Sequence, residues 1–392
     1  MHILVVGGYT EIHERLHQYG ARITHFTEKE MLNVSCKIYY RQIGFNSNES
    51  HDNFIKIASA INEIDKIDIV ISFTDYFQIL ACEIAEKLGL KYFNSKELLI
   101  NMKNKYKMRG VLQRNKINSL KFQIIDTFNI TNNNEKIEIS YPYICKPIDQ
   151  SGSNFIFLIK NPQDFVKFVE FTNKKECPDK FLIEEYYDGK EYSVESFSIE
   201  GKHYILGITE KFKDKNFVEI GHCMPAELED YERYSIVDYV VSVLTALGMN
   251  SGPSHTEIIV GNRGPIIIES HARLGGDSIP ILLSHVSNIK LFDLWARLAI
   301  GYNLENYITP IYNNNFVAIW FKTAKDNGIL TYKIDHINSL KILEYKIYKE
   351  NNEFVEKTIN SNSRIGHFIA MGNSREDAIN SAKTIEDEIK IV

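Results

Sequence analysis

The chain is 392 residues long and 44% hydrophobic, too long for one ordinary core and apolar enough to fill two or three. A formal net charge of −6 with scattered Lys and Arg leaves no broad basic footprint, which excludes DNA and RNA from the expected partners. No run approaches the ~18 consecutive apolar residues of a membrane span, HILVV at 2–6 follows no basic leader, and the five cysteines are widely spaced without a C-x-x-C pair, so a soluble protein of the reducing cytoplasm is expected.

From Met1 to about Leu90, short apolar runs (ILVV at 3–6, IVISF at 69–73) alternate with helical periodicity at Ile79, Leu80, Ile84, Ala85 and Leu88, closed by Gly89. This alternation predicts βαβ structure and a parallel sheet. Gly7 and Gly8 lack the G-x-G-x-x-G spacing, so a tight strand-to-helix turn is expected there rather than a dinucleotide site. Ser95 is read as the N-cap of a helix, SKELLINMKNKYKMRGVLQRN, which carries Lys103, Lys105, Lys107 and Arg109 and breaks or bends near Gly110. FQIID (122–126), YPYICKP (141–147), NFIFLI (154–159) and KFLIEEYY (180–187) read as strands of a compact α+β lobe over 110–185, with TNNNEK (131–136) an exposed loop.

Next, EYSVESFSIE (191–200) and KHYILGITEKF (202–212) predict a hairpin turning at Glu200-Gly201. A helix is expected over about 230–247, ended by Gly248. SHTEIIV (254–260) and IIIESHARLGG (266–276) predict a second hairpin through GNRGP. Beyond residue 310 strands and helices alternate, and the chain is expected to end in a helix over REDAINSAKTIEDEIK. No repeat of fixed period is visible, against solenoids and propellers.

The second hairpin carries the sharpest chemistry. A five-residue loop at 261–265 would pair Val260 with Ile266 and set Glu257 opposite Glu269 on one face, whereas a four-residue loop would place them diagonally. Facing carboxylates repel unless a cation lies between them. Strand alternation adds His271 to the face of Glu269, with Arg273 just beyond. The pattern predicts an oxygen-rich metal site beside a guanidinium able to clamp a phosphoryl group; two solvated strand ends with an incidental ion pair are the plain alternative. Lys146, within the apolar ICKP, is costly to bury without an anion, unless it lies on an edge strand and snorkels to water. DQSGSN (149–154) is a turn of small residues able to direct backbone N–H groups at phosphate oxygens. FLIEEYYDGKEYSVE sets Glu184, Glu185 and Glu191 around an Asp-Gly turn, suited to an adenine hinge and ribose hydroxyls, although exposed acids beside a turn are commonplace.

Together and in this order, NKYKMRGVLQRN, YPYICKPIDQSGSNFI, LIEEYYDGKEYSVE, GHCMPAEL, GPSHTEI and IIIESHARLGGDSI resemble the ATP-grasp superfamily, in which two α+β lobes hold ATP between them. The resemblance spans nearly the whole chain. It is to the carboxylate–amine ligase branch that includes bacterial L-amino-acid ligases, and more distantly to the biotin carboxylase type. It implies a multi-lobed architecture of α/β and α+β parts: a βαβ pre-ATP-grasp domain over 1–95, a linker helix and small lobe over 96–188, a large lobe with the metal and substrate site over 189–305, and a C-terminal α+β lobe over 306–392.

Position by position, the resemblance implies Lys105 and Lys146 as phosphate-binding lysines and Ser151, Gly152 and Ser153 as the loop over the phosphates. Glu184, Glu185, Tyr186 and Tyr187 would form the adenine hinge, Glu191 the ribose ligand, and Glu257 and Glu269, with His271, the magnesium ligands. Arg273 matches an arginine that steadies the transferred phosphate. His222 matches a histidine lining the acyl-substrate pocket, with a satisfied structural histidine as the alternative. Gly275 and Gly276 are read as backbone donors near the acyl oxygen. Three features depart from the family pattern. His271 stands where Asn is usual, and imidazole suits Mg2+ less well; Asn104 replaces an aspartate often found before the first lysine; and the phosphate loop has one glycine.

The expected reaction is an ADP-forming ligation with ATP and Mg2+, or Mn2+ as the alternative ion. A carboxylate, that of an amino acid, becomes an acyl phosphate and is joined to an amine. The partners expected are small molecules, without nucleic acid or membrane, and the expected assembly is a homodimer. An ATP-dependent carboxylase or other acyl-phosphate-forming enzyme is the first alternative, and a non-catalytic nucleotide-binding protein the second.

Overall fold

The computed structural model describes residues 1–33, 35–117, 120–131, 136–174, 177–333, 341–384 and 389–391. The N-terminal alternation folds into β1 (His2–Val6), α1 (Thr10–Gln18), β2 (Arg22–Glu28), β3 (Tyr39–Phe45), α2 (His51–Ile64), β4 (Ile69–Ile71) and α3 (Asp75–Lys87). Its four strands are parallel in the order β3-β2-β1-β4. Helices cover both faces of such a sheet, which is why β1 is buried throughout and apolar except for its ring-bonded His2. Asp75 opens α3 at the carboxyl end of β4, the edge at which open α/β sheets present functional groups.

The helix expected to break or bend near Gly110 breaks earlier, at Asn104, giving α4 (Lys96–Lys103) and α5 (Lys105–Arg114). Ser95 caps the first, its side chain accepting from Leu98 N at 3.1 Å. Asn104 leaves the helical conformation and its side chain accepts from Lys107 N at 3.0 Å, a cap that restarts the helix. Gly110 lies within α5.

A small antiparallel sheet follows, ordered β5-β8-β6-β7, from β5 (Phe122–Asp126), α6 (Thr127–Thr131), β6 (Tyr143–Pro147), β7 (Phe157–Ile159), α7 (Pro162–Thr172) and β8 (Lys180–Glu185). Its core is aromatic, with Phe168 edge-on to Phe181. β7 is shorter than the sequence suggests because Ser153 and Phe155 take positive φ and turn the chain out of the sheet. Most of the exposed loop expected at TNNNEK lies outside the described residues.

The remaining elements are β9 (Lys190–Ile199), β10 (Lys202–Lys213), β11 (Glu219–Met224), α8 (Asp230–Leu247), β12 (Gly252–Gly261), β13 (Gly264–His271), α9 (Ile279–Val286), α10 (Leu291–Ala299), β14 (Phe316–Lys322), β15 (Gly328–Tyr332), β16 (Ile342–Ile347), β17 (Phe354–Val355), β18 (Gly366–Gly372), α11 (Arg375–Thr384) and β19 (Ile389–Ile391). The first hairpin turns at Glu200-Gly201, both at positive φ. Gly248 ends α8 in the left-handed conformation. An eight-stranded sheet runs β13-β12-β9-β10-β11-β14-β18-β16, so strands from either side of residue 305 share one sheet. The C-terminal helix is described as far as Thr384, and residues 385–388 of the expected helix lie outside the described residues; Ile389–Ile391 pair with Leu330–Tyr332, where the open edge of β15 outcompetes helix propensity. Among the described residues no helix is long and apolar enough to cross a membrane.

Candidate active site

The hairpin of β12 and β13 has a two-residue turn, Asn262-Arg263, with Gly261 paired to Gly264 and Ile259 to Ile266. The loop is therefore shorter than either length expected from the sequence. Continued without interruption, this register would set Glu257 opposite Ile268 and turn Glu269 to the other face. A bulge between Glu257 and Ile258 shifts the register, and Glu257 faces Glu269. Arg109 of α5, buried, donates from Nη2 to Ile267 O at 2.8 Å and to Ile268 O at 3.0 Å, satisfying carbonyls that the bulge withdraws from the ladder.

Cross-strand pairing then builds a polar face from residues far apart in sequence. Adjacent rows are Lys211, Glu191 and Ile259; Ser193, Glu257 and Glu269; and Glu195, His255 and His271. Glu257 lies 2.6 Å from Lys211 Nζ and 3.1 Å from His255 Nε2. Glu269 lies 2.7 Å from Lys105 Nζ and 3.3 Å from His271 Nε2. Burial alone would raise both acids, but Lys211 and His255 hold Glu257, and Lys105 and His271 hold Glu269, well below the usual carboxylate range. His255 also bonds Glu195 at 2.7 Å; burial lowers it, and the two carboxylates raise it to about 9.

The facing wall comes from the small sheet and α5. Lys146 is buried with its Nζ 2.6 Å from Glu184 Oε2, and Arg109 pairs with the same carboxylate. Burial pushes Glu184 up, and these two cations bring it down to about 2. Lys146 is lowered by its burial despite Glu184. Lys105, at the start of α5, donates to Gln150 O at 2.6 Å and so ties the 149–154 loop to Glu269.

Between the walls lies a cavity of about 400 Å³. Leu120, Tyr187, Ile259 and Ile266 pack together beside the 185–187 segment and give it an aliphatic slot. Gly189 is needed nearby, because a Cβ there would stand 2.4 Å from Val260 O where the turn crosses the hairpin. Lys105, Lys146, Ser151, Gly152, Ser153, Glu184, Glu185, Tyr186, Tyr187, Glu191, His222, Glu257, Glu269, Arg273 and Gly276 all line this cavity.

The structure revises several expectations within the set. Glu184, which lines the cavity, is also the buried counter-ion of Arg109 and Lys146. His271 and Gly275 stand behind the cavity lining. His271 Nδ1 is 2.9 Å from Asp75 Oδ2, while its Nε2 faces Glu269 outside hydrogen-bond geometry. Gly275 packs against Glu195 and His255, where a Cβ would come within 2.9 Å of both side chains, so its smallness serves that pair.

Other groups here went unnoticed in the sequence. Asp75 accepts from Arg273 Nε at 2.5 Å and fixes the guanidinium from the N-terminal sheet. Lys211 bridges Glu219 and Glu257. His222 Nε2 donates to Asp277 Oδ2 at 2.9 Å, and Arg364 grips the same carboxylate through both Nη atoms. Glu219, His222 and Asp277 are close enough to share an ion, but Lys211 and Arg364 already balance the two acids. None of these has a local sequence signature: Lys211 stands between Glu210 and Phe212 at the polar end of its strand.

Residues 139–281 match the ATP-grasp domain family. Dapdiamide A synthase of Enterobacter agglomerans is 26% identical over 216 residues, covering 52% of this chain and 50% of that protein. Alanine–anticapsin ligase of Bacillus subtilis is 24% identical over 252 residues, covering 58% and 53%. The chain thus spans about half the length of the curated relatives it matches. The crystal structure of an L-amino acid ligase from Bacillus licheniformis superposes with a TM-score of 0.82 at 20% identity, over 100% of this chain and 98% of that one. Residues 139–281 are an ATP-grasp domain, set in a chain that takes the ATP-grasp fold along its whole length.

Proposed function

We propose that the chain is an ADP-forming carboxylate–amine ligase for small molecules, with an amino acid as the acid that it activates. The observation that carries this reading is the Glu257–Glu269 pair, opposed by a bulge and kept ionised, on a cavity whose other wall offers Lys105 and Lys146. Two ionised carboxylates on one face supply the hard oxygen donors that magnesium prefers, and His271 Nε2 beside Glu269 has no hydrogen-bond partner. The residues fit the ion. Bound there, magnesium would offset charge on a transferring phosphoryl group.

The chain's own groups do the rest. The slot formed by Leu120, Tyr187, Ile259 and Ile266 receives a flat purine against the 185–187 backbone, and Glu191 meets the ribose. Lys105 and Lys146 meet the phosphate oxygens, and the 151–153 loop excludes water from them. Arg273, held by Asp75, steadies the phosphoryl group while an oxygen of the acid attacks phosphorus in line and ADP departs. An amine nitrogen then attacks the acyl carbon, the C–O bond to phosphate breaks, and the amide forms as the nitrogen gives up its surplus proton to the departing phosphate or to water. The free cysteines suit a reducing cytoplasm.

Pairs of amino acids are screened with ATP and Mg2+ for ADP and phosphate, with hydroxylamine added to trap an activated acid. A hydroxamate with one acid and an amide with one pair are expected. AMP and pyrophosphate as products would overturn the reading. ADP release driven by bicarbonate or formate without any amino acid would replace it with a carboxylase or another acyl-phosphate enzyme.

A further inference from the structure

The phosphate loop between β6 and β7 is held from outside its own lobe. Just before β18 the chain makes a tight turn at Ser361–Ser363, capped by Asn360, whose side chain accepts from Ser363 N at 3.0 Å. From this turn Ser361 N donates to Gly152 O at 3.1 Å, and Asn360 Nδ2 donates to Asn154 Oδ1 at 2.8 Å. Asn154 in turn donates to Ser151 O at 2.8 Å, so the contact fixes the conformation of the loop itself.

The same turn is fastened to the far wall of the cavity. Arg364 Nε donates to Ser361 O at 2.7 Å. Its Nη1 and Nη2 reach the Asp277 carboxylate at 2.8 and 2.5 Å, and its guanidinium lies 3.6 Å from the Phe321 ring centroid. Asp277 and Ser278 both have positive φ, a conformation that persists only when neighbours impose it. An unbroken chain of bonds therefore runs from His222 and Asp277 through Arg364 and Ser361 to Gly152.

We propose that the Asn360–Arg364 turn is a latch for the phosphate loop, and that Arg364 is a positioning residue that makes the latch respond to occupancy of the cavity wall at Asp277 and His222. The coupling rests on the ligase reading, in which the acid occupies that wall. Acid packed there favours the arrangement in which Asp277 is fully paired. Arg364 then holds Ser361 where it meets the loop, so the loop closes over nucleotide when acid is present. The transferring phosphoryl group is thereby closed off from water once the acid that accepts it is in place.

Two variants separate the parts. Asn360→Asp keeps the cap on Ser363 but removes the donor to Asn154; Arg364→Lys keeps the charge but cannot grip a carboxylate bidentately. Hydrogen exchange is measured over 149–157 with Mg2+ and a non-hydrolysable ATP analogue, and analogue affinity is measured with and without an equimolar mixture of the proteinogenic amino acids. In the wild type the mixture is expected to tighten the analogue by roughly tenfold, the scale of one or two lost hydrogen bonds, and in Arg364→Lys by less than about twofold. Asn360→Asp should lose loop protection and raise the KM for ATP by roughly tenfold, with kcat at saturating ATP changed by less than about threefold. Unchanged protection and KM in Asn360→Asp would overturn the latch, and full tightening in Arg364→Lys would overturn the coupling. Failure of the wild type to release ADP with any amino acid would sink the ligase reading and the coupling with it, while the exchange measurement still decides the latch.

Discussion

Two pairs of buried histidines answer the same burial in opposite ways. In the N-terminal sheet His13 and His25 lie with ring centroids 4.9 Å apart, and His13 Nδ1 is 2.8 Å from Tyr39 Oη. Burial, with mutual repulsion, pushes His13 down to about 3, and burial alone takes His25 to about 4. At the site, His255 and His271 stack at 6.5 Å and are as deeply buried, yet both are raised. Each touches two carboxylates: Glu195 and Glu257 for His255, Asp75 and Glu269 for His271. Desolvation has the same sign everywhere, and the neighbouring acids decide which way the group moves. The N-terminal pair is neutral packing, whereas the site keeps its charges by surrounding each with its opposite.

The largest effect is expected on the charged side. Glu269→Gln removes one of the two facing carboxylates, and ADP formation is expected to fall by roughly 10³-fold while the circular dichroism spectrum is unchanged. An undiminished rate would show that Glu269 is packing. Next in size, Arg109→Met leaves the buried Glu184 with one cation and frees the carbonyls of Ile267 and Ile268. Chemical denaturation should register a loss of about 3 kcal/mol, and stability unchanged from the wild type would mean that burial rather than pairing governs this wall.

An effect spread over several pH units tests the neutral side. Unfolded histidine takes up its proton near pH 6.5, whereas folded His13 and His25 resist until about 3 and 4. Between those values the unfolded chain binds more protons, so stability falls as the pH drops through that window. The expected slope is at most roughly 1.4 kcal/mol per pH unit for each histidine. His25→Phe should flatten that slope in thermal melts between pH 6.5 and pH 4; an unaltered slope would assign the acid sensitivity elsewhere.

Much of this was legible in the sequence wherever one strand or helix decides the outcome. Alternation gave the parallel sheet, Gly248 the end of α8, and Glu200-Gly201 the first turn. The facing of Glu257 and Glu269 was anticipated, but by a loop length that does not occur. A bulge leaves no local mark, because its extra residue, here stabilised by Arg109, resembles any other strand residue. Partners brought together across distant segments were equally silent. Asp75 lies 198 residues before Arg273, and Arg364 lies 87 residues after Asp277. Such pairs depend on how whole sheets meet, which a hydrophobic period does not encode. Ile389 and Lys390 read as the end of a helix, yet with Ile391 they complete a sheet edge whose need lies some 60 residues earlier.

The eight-stranded sheet has a practical consequence for anyone cutting the gene. The recognisable ATP-grasp segment ends at residue 281, but β11, which bears Glu219 and His222, has its outer neighbour in β14 at Phe316–Lys322, and β14 in turn leans on β18. A fragment trimmed to the matched segment would bare a long strand edge beside the very groups that need fixing, and would also forfeit Asp75 and Arg364. Homology boundaries and autonomous folding units do not coincide here, so expression of the truncated piece should yield aggregates in place of a minimal enzyme.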